Sequence, residues 1–158
     1  MTAPPEFRVG LRVADVEAAR QFYEGLGFVP AAVIPDAQGR PVLAILEGHG
    51  VTLMADAPEG LPFPDTPRER NSQRGPRGLG VVVGLIVDDL GATYDYFRAS
   101  GCTFTSEPRD EAWGDCVFSA LDPFGFEWEI AQPIPGAETT DGAAETQAAW
   151  FGFPGERP

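Results

Sequence analysis

Glu127 and Glu129 lie two positions apart, on either side of Trp128. Because side chains alternate along a strand, both carboxylates are expected on one face, with the apolar residues around them on the other. Carboxylates that enter a concave, partly dry cleft need a cation, a shared proton or hydrogen bonds, which predicts a cationic ligand. Arg8 and Arg12 are predicted to line the same cleft from the first strand. A salt bridge between them and the carboxylates is the structural alternative.

Trp113 stands in an acidic segment, 107–115, that holds four carboxylates. An indole beside carboxylates suits a flat or cationic ligand, through stacking, cation–π attraction and charge pairing. We therefore predict that Trp113 and Asp115 contact the ligand; the alternative is that Trp113 is a structural plug at the start of a strand. Met54 and Phe118 are predicted to line the same cleft, although the alternation leaves the face of Phe118 open.

The residue types of the common catalytic sets are missing. The sequence holds a single histidine, His49, in a predicted tight turn, and no Gly-rich phosphate loop, GxSxG elbow or CxxC pair. Cys116 follows Asp115 but has no histidine partner, so an inert buried thiol is expected. Two cysteines, Cys102 and Cys116, are too few for a disulfide scaffold and favour a reducing cytoplasm.

The charge balance favours a cationic partner. Among 158 residues, 24 are acidic and 11 are basic, every basic residue is arginine, and the net charge is −13. The negative charge argues against a nucleic-acid partner, because phosphate binding needs cationic residues. It favours cationic small molecules, which the field of the protein attracts. The alternative is that the charge serves solubility alone. No apolar run reaches about 18 residues, so no membrane span is expected. No secretory signal is recognisable, and we expect a cytoplasmic protein.

The elements that would position these residues occur twice. Residues 10–28 reappear as 84–102 at an offset of 74, and 42–54 align with 117–129 at an offset of 75. Alternating apolar residues, an aspartate at a helix start and a helix-period stripe predict one βαβββ unit in each half. Positions that match between the halves are expected to be structural, and function is expected where they differ.

The predicted organisation has four parts. A first unit at 1–59 is followed by a linker loop at 60–80, a second unit at 81–132, and an acidic tail with an aromatic end at 133–158. The loop is long for a compact domain and is expected to be a linker or a functional lid. The aromatic residues of the tail are expected to dock on this subunit or on a partner.

Three segments carry a resemblance to a known family: RVADVEAARQFYEGLGF, VDDLGATYDYFRASG and SEPRDEAWGDCVFSALDPFGFEWEIAQ. Over roughly residues 7–132 the chain resembles the vicinal oxygen chelate superfamily of glyoxalases, extradiol dioxygenases, and fosfomycin and bleomycin resistance proteins. The WG pair at 113–114 and the DPFG turn at 122–125 are most similar to the bleomycin- and mitomycin-binding and glyoxalase-like branch. The resemblance implies an α+β fold of two tandem βαβββ units, with a curved mixed sheet around a cleft and the helices outside. It also implies a homodimer.

The family's enzymes hold a divalent metal with His and Glu side chains on the first and last strands of each unit. Carried over position by position, the four ligands fall on Arg8, Met54, Val82 and Glu129. Arginine is cationic, valine has no donor atom and a thioether is a poor ligand for a hard ion, which leaves only Glu129. Since catalytic zinc usually has about three protein ligands, no metal cofactor is expected.

The sequence therefore favours a metal-free protein that binds and sequesters a small cationic or aromatic molecule, such as an antibiotic. The rival hypothesis is an enzyme, a glyoxalase-type lyase, isomerase or dioxygenase. In it Glu129 is a metal ligand or general base, and the cofactor is a divalent metal such as Zn, Fe, Mn or Ni. A third hypothesis is an interaction module whose aromatic tail docks on a partner.

Overall fold

The computed structural model describes residues 6–58 and 65–137, which belong to two compact units with a boundary between Leu79 and Gly80. The first unit contains β1 (Arg8–Arg12), α1 (Val16–Glu24), β2 (Val29–Pro35), β3 (Pro41–Gly48), β4 (Val51–Asp56) and α2 (Pro67–Arg74). The second unit contains β5 (Val82–Ile86), α3 (Leu90–Ala99), β6 (Thr103–Asp110), β7 (Asp115–Leu121) and β8 (Glu127–Pro133).

Each unit builds its own four-stranded mixed sheet. The strand order is β1-β4-β3-β2 in the first unit and β5-β8-β7-β6 in the second. In both sheets the first and last strands of the unit are parallel neighbours, and the remaining neighbours are antiparallel. The predicted α+β fold of tandem βαβββ units is confirmed.

The helix that follows the first strand of each unit begins at an aspartate. Asp15 accepts a hydrogen bond from the Ala18 backbone N–H at 2.9 Å, and Asp89 accepts one from the Ala92 N–H at 2.9 Å. Each bond satisfies an amide that would otherwise have no partner in the first turn. The repeated aspartate is thus a structural feature, and it sets where each helix starts relative to its sheet.

One face of the second sheet is covered by α3. Phe118 on β7 makes edge contacts with Phe97 and Tyr94 of this helix, at ring-centroid distances of 5.4 and 5.3 Å. Trp128 and Ile130 on β8 are buried on the same face. Phe118 is 0 % exposed and is therefore a core residue, which corrects the expectation that it lines a ligand cleft.

A buried aspartate fixes the start of β8 in this core. Asp122 Oδ1 accepts hydrogen bonds from the N–H groups of Phe124 and Phe126 at 2.9 and 3.0 Å, and Oδ2 accepts one from Trp128 Nε1 at 2.9 Å. The carboxylate closes the turn and holds the indole on the helix side of the sheet. Because side chains alternate, the two glutamates of β8 lie on the opposite face.

The segment 60–80 contains a helix, α2, that the search for apolar periodicity missed. Thr66 Oγ1 accepts a hydrogen bond from the Glu69 N–H at 3.1 Å, and Pro67 occupies the first helical turn. This T-P-x-E pattern is a recognisable helix start, but the helix has no apolar stripe for a periodicity search to detect. The expectation of a loop is therefore corrected for residues 67–74.

Parts of the predicted linker and tail lie outside the described residues. These are 60–64 of the linker and 138–158 of the tail, with its aromatic residues Trp150, Phe151 and Phe153. β8 runs to Pro133, one residue into the predicted tail. No helix among the residues that the structure describes has the length and apolar character needed to cross a membrane.

Candidate functional site

Glu127 and Glu129 lie on the face of the second sheet opposite α3. In the parallel pairing of β5 with β8, Glu127 is opposite Val82 and Glu129 is opposite Gly84. Neither carboxylate makes a hydrogen bond or an ion pair with another residue in the described part of the chain. We call the surface formed by Val82, Gly84, Ile86, Glu127 and Glu129 the open face.

The open face combines carboxylates with exposed apolar side chains. Val82 is 51 % exposed and Ile86 is 38 % exposed. Between them, a Cβ added at Gly84 would meet no atom of the described residues within 4 Å, apart from its own chain neighbours. Apolar surface next to a few placed polar groups is typical of ligand sites. The open face thus offers a flat apolar contact and two negative charges side by side.

The two arginines predicted to share the cleft have acidic partners within the first unit. Arg8 Nη2 is 2.5 Å from Glu6 Oε2 in an exposed pair. Arg12 donates to both oxygens of Asp56, at 2.6 and 2.8 Å, and to Glu69 at 3.0 Å. Their charges are therefore compensated locally by acids of the first unit.

In the Arg12–Asp56 pair the Asp56 side chain is 6 % exposed and the Arg12 side chain is 29 % exposed. Burial raises the pKa of the Asp56 carboxyl, although Arg12 acts in the opposite direction. Burial also opposes the charge of Arg12, but the hydrogen bonds and charges of Glu69 and Asp56 raise the pKa of the guanidinium overall. The contact of one nitrogen with both carboxylate oxygens is the geometry of a charge-assisted bond, and it supports an ion pair.

The corresponding positions of the second unit are apolar. At offsets of 74 and 75, Arg12 corresponds to Ile86 and Asp56 corresponds to Ala131, and both pairs are cross-strand neighbours. The first unit thus places an ion pair where the second unit leaves apolar surface. Because the two units otherwise share one topology, this difference marks the second unit as the candidate ligand site.

Met54 is the repeat counterpart of Glu129 and lies half-buried on β4. It is opposite Gly10 on β1 and Ile45 on β3. A thioether in this setting offers a polarisable apolar contact and no charge. The carboxylate of Glu129 is therefore a feature of the second unit alone.

Trp113 and Asp115 lie at the turn that joins β6 to β7, and Asp115 is the first residue of β7. The turn is closed by hydrogen bonds from Glu111 N–H to Asp115 O at 2.8 Å and from Gly114 N–H to Glu111 O at 3.0 Å. Trp113 is 36 % exposed, whereas Asp115 is 2 % exposed. Asp115 lies four residues along β7 from the position opposite Glu129, which is about 13 Å. The structure thus divides the predicted ligand residues into two groups.

The positions at which the family's enzymes hold a metal do not fit one here. Arg8 is ion-paired, and neither Val82 nor Met54 has a donor suited to a hard cation. Glu129 is the one remaining carboxylate. His49 contacts a backbone carbonyl oxygen near the end of α1, with Nε2 at 2.7 Å. Across 6–58 and 65–137, no group of three or more His, Cys, Asp or Glu side chains could hold a metal ion.

A cavity of about 350 Å³ opens in the first unit beside the start of α1. Its polar lining includes Asp15, which caps α1, and Asp36 and Arg40, which bond each other. None of the predicted ligand residues lines this cavity. Its polar groups are occupied with local structure, so it adds nothing to the candidate site.

Comparison with known proteins identifies the family. The sequence model of the Glyoxalase/Bleomycin resistance protein/Dioxygenase superfamily matches residues 7–130, and the chain belongs to this superfamily. The uncharacterized protein Mb0911c of Mycobacterium bovis is 28 % identical over 135 residues, which cover 82 % of this chain and 84 % of the relative. The uncharacterized protein Rv0887c of Mycobacterium tuberculosis is 28 % identical over 135 residues, covering 82 % and 75 %.

Solved structures share the fold. TioX from Micromonospora sp. ML1 matches with a TM-score of 0.60 at 21 % identity, covering 83 % of this chain and 100 % of TioX. A glyoxalase/bleomycin resistance protein/dioxygenase from Nocardioides matches with a TM-score of 0.56 at 24 % identity, covering 89 % and 90 %. UcmS2 matches with a TM-score of 0.60 at 21 % identity, covering 82 % and 98 %. At these identities the likeness concerns the fold alone.

Proposed function

We propose that this protein binds and sequesters a small cationic or aromatic molecule, without a metal and without chemical conversion. The observation that carries the proposal is the pair of carboxylates on the open face, Glu127 and Glu129, which have no partner among the described residues. A ligand with a positive charge next to an apolar body would complement both the carboxylates and the exposed Val82 and Ile86.

The charge of the whole chain supports a cationic ligand. A net charge of −13 raises the local concentration of cations, and a surface that carries acids beside apolar groups concentrates this effect. The superfamily includes bleomycin resistance proteins by its own description. An antibiotic with a cationic, partly aromatic structure is therefore the ligand class that we propose.

The alternative is a metal-dependent lyase, isomerase or dioxygenase with Glu129 as ligand or base. It has less support, because three of the four family positions carry side chains that do not ligate a hard cation. Elemental analysis of the unchelated protein separates the two hypotheses. Near-stoichiometric Zn, Fe, Mn or Ni would contradict the metal-free proposal.

A thermal-shift panel tests the proposal. Each cationic aromatic compound is paired with a neutral compound of the same shape, and the protein is measured before and after treatment with a chelator. We expect cationic members to raise Tm by several degrees at concentrations well above Kd, their neutral partners to raise it less, and chelation to change neither result. Equal shifts for charged and neutral partners, or no shift from any compound, would overturn the proposal.

A further inference from the structure

One carboxylate of the second unit is buried without a compensating partner. Asp115 is almost fully buried, and its Oδ1 makes no hydrogen bond with any residue that the structure describes. An unsatisfied buried acceptor is destabilising, and more so when it is charged, so a hydrogen-bond donor placed at Oδ1 would be stabilising. The matching turn of the first unit ends on exposed Arg40, bonded to Asp36. The turn can therefore form without a buried acid at this position.

Asp115 and Glu129 share one face of the second sheet. β7 and β8 pair in one unbroken register, so alternate residues from Asp115 onward lie on the side of Glu129. Glu129 is opposite Ser119, four residues from Asp115, which corresponds to about 13 Å along the strand. Two acids without described partners thus lie on the same face at a defined separation.

Apolar side chains occupy this face between the two acids. Val117 and Ile86 are both opposite Ala131, one on each side of β8. Val117 and Ala131 are buried, and Ile86 is partly exposed. A molecule that reaches from one acid to the other therefore passes beside the exposed side chain of Ile86, which favours an apolar middle section.

We propose that the ligand is an elongated molecule with a cationic, hydrogen-bond-donating group at each end and an apolar middle. One end binds Glu129 on the open face, and the other supplies the donor that Asp115 lacks. Trp113, two residues before Asp115, adds an indole at this second end. The inference rests on the proposed function and narrows its ligand class to dications such as long diamines and bis-amidines.

A chain-length series tests the inference. Straight-chain diamines from diaminobutane to diaminododecane, and monoamines of matched length, are titrated into the intact protein by calorimetry. We expect affinity to pass through a maximum where the nitrogen separation approaches that of the two carboxylates. At that length the diamine is expected to bind at least about tenfold more tightly than the matched monoamine. Affinity that rises smoothly with chain length, equally for both series, would overturn the inference while leaving the proposed function intact.

The Asp115→Asn variant tests the role of the buried acid. It is expected to remove the advantage of the diamine while leaving monoamine affinity unchanged, and to melt at the same or a higher temperature than the wild type, because an uncompensated charge is removed. Asp95→Asn, which removes an exposed acid from α3, is the matched control and should behave as the wild type. A lower Tm for Asp115→Asn, or an undiminished diamine advantage, would show that Asp115 is structural. Failure of every amine to bind would contradict the proposed function itself.

Discussion

Gly84 lies opposite Glu129 in the parallel pairing of β5 with β8, and beyond its chain neighbours no atom in the described part of the chain lies within 4 Å of the place that a Gly84 Cβ would take. The φ angle of Gly84 is outside the left-handed region, so the backbone does not require glycine here. Glycine inside a strand costs roughly 0.5–1 kcal/mol relative to alanine. Glycine also occupies the equivalent position of the first unit, Gly10, so the residue type belongs to the repeat. In the second unit it leaves room for a ligand to approach the sheet beside Glu129.

Filling this space should separate stability from binding. We expect Gly84→Val to raise the free energy of unfolding by about 0.5–1 kcal/mol, through β propensity and lost unfolded-state freedom. It should also weaken binding of a cationic aromatic ligand by about tenfold. Urea unfolding and calorimetric titration measure the two effects.

The repeat supplies the matched control for this variant. Gly10 occupies the equivalent place on β1, where an added Cβ would lie 3.9 Å from the Arg12 side chain. Gly10→Val should change stability similarly and leave binding as in the wild type. Equal loss of binding in both variants, or none in Gly84→Val, would contradict a ligand that lies over Gly84.

The Arg12–Asp56 pair should matter for stability and not for binding. Arg12→Met leaves the nearly buried Asp56 carboxylate without its cation and should cost about 3 kcal/mol of unfolding free energy. Arg8→Met removes an exposed pair and should have little effect. Urea denaturation measures both variants. A small loss in Arg12→Met, or weakened binding of a cationic ligand in that variant, would contradict the structural role of Arg12.

The Cys102 thiol should make stability fall at alkaline pH. Burial, with the nearby Asp122 charge, raises the pKa of this thiol from 9.0 to about 12. As pH rises above about 9, the unfolded chain loses the thiol proton before the folded chain does. The contribution of Cys102 is therefore complete below pH 9 and is lost progressively toward pH 12, by at most about 1.4 kcal/mol per pH unit.

Urea unfolding between pH 8 and about pH 10.5 measures this slope. Cys102→Ala should lose stability less steeply with pH than the wild type, whatever its absolute stability. Parallel pH profiles for the two proteins would show that the thiol ionises equally in the folded and unfolded states.

The sequence predicted the fold well because the same pattern of strands and helix occurs in both halves. The capping residues Asp15 and Asp89 and the apolar alternation recur at a fixed offset, and they are local signals that need no knowledge of tertiary contacts. The helix α2 was not predicted, because a polar helix has no apolar stripe. Its T-P-x-E start, at Thr66, was the signal that could have revealed it. The predicted homodimer and aromatic tail stay predictions.

The misplacement of Phe118 has a specific cause. The strand registers show that β3 corresponds to β7 at an offset of 74, while β4 corresponds to β8 at 75, because the hairpin of the second unit is one residue longer. Phe118 therefore matches buried Ala44, and not its neighbour Leu43. A slip of one residue moves a side chain to the other face of a sheet, and only the strand pairing resolves it.

The separation of Asp115 from Glu129 also could not be predicted without the strand register. The sequence grouped these acids in one cleft by residue type. The pairing of β7 with β8 is a tertiary property. It shows that the two acids lie about 13 Å apart along the strands. The partners of Arg12 were missed for the same reason, because Asp56 and Glu69 are distant from it in sequence.

The most direct test of the account is calorimetric titration of the chelator-treated protein with a cationic aromatic compound that shifts Tm. The wild type is compared with the Glu127→Gln/Glu129→Gln variant and with Asp95→Asn, which removes an exposed acid from α3. We predict one metal-independent site whose affinity falls at least about tenfold in the double variant, which is about 1.4 kcal/mol, and is unchanged in Asp95→Asn. Equal binding by all three proteins would contradict the assignment of the ligand to Glu127 and Glu129.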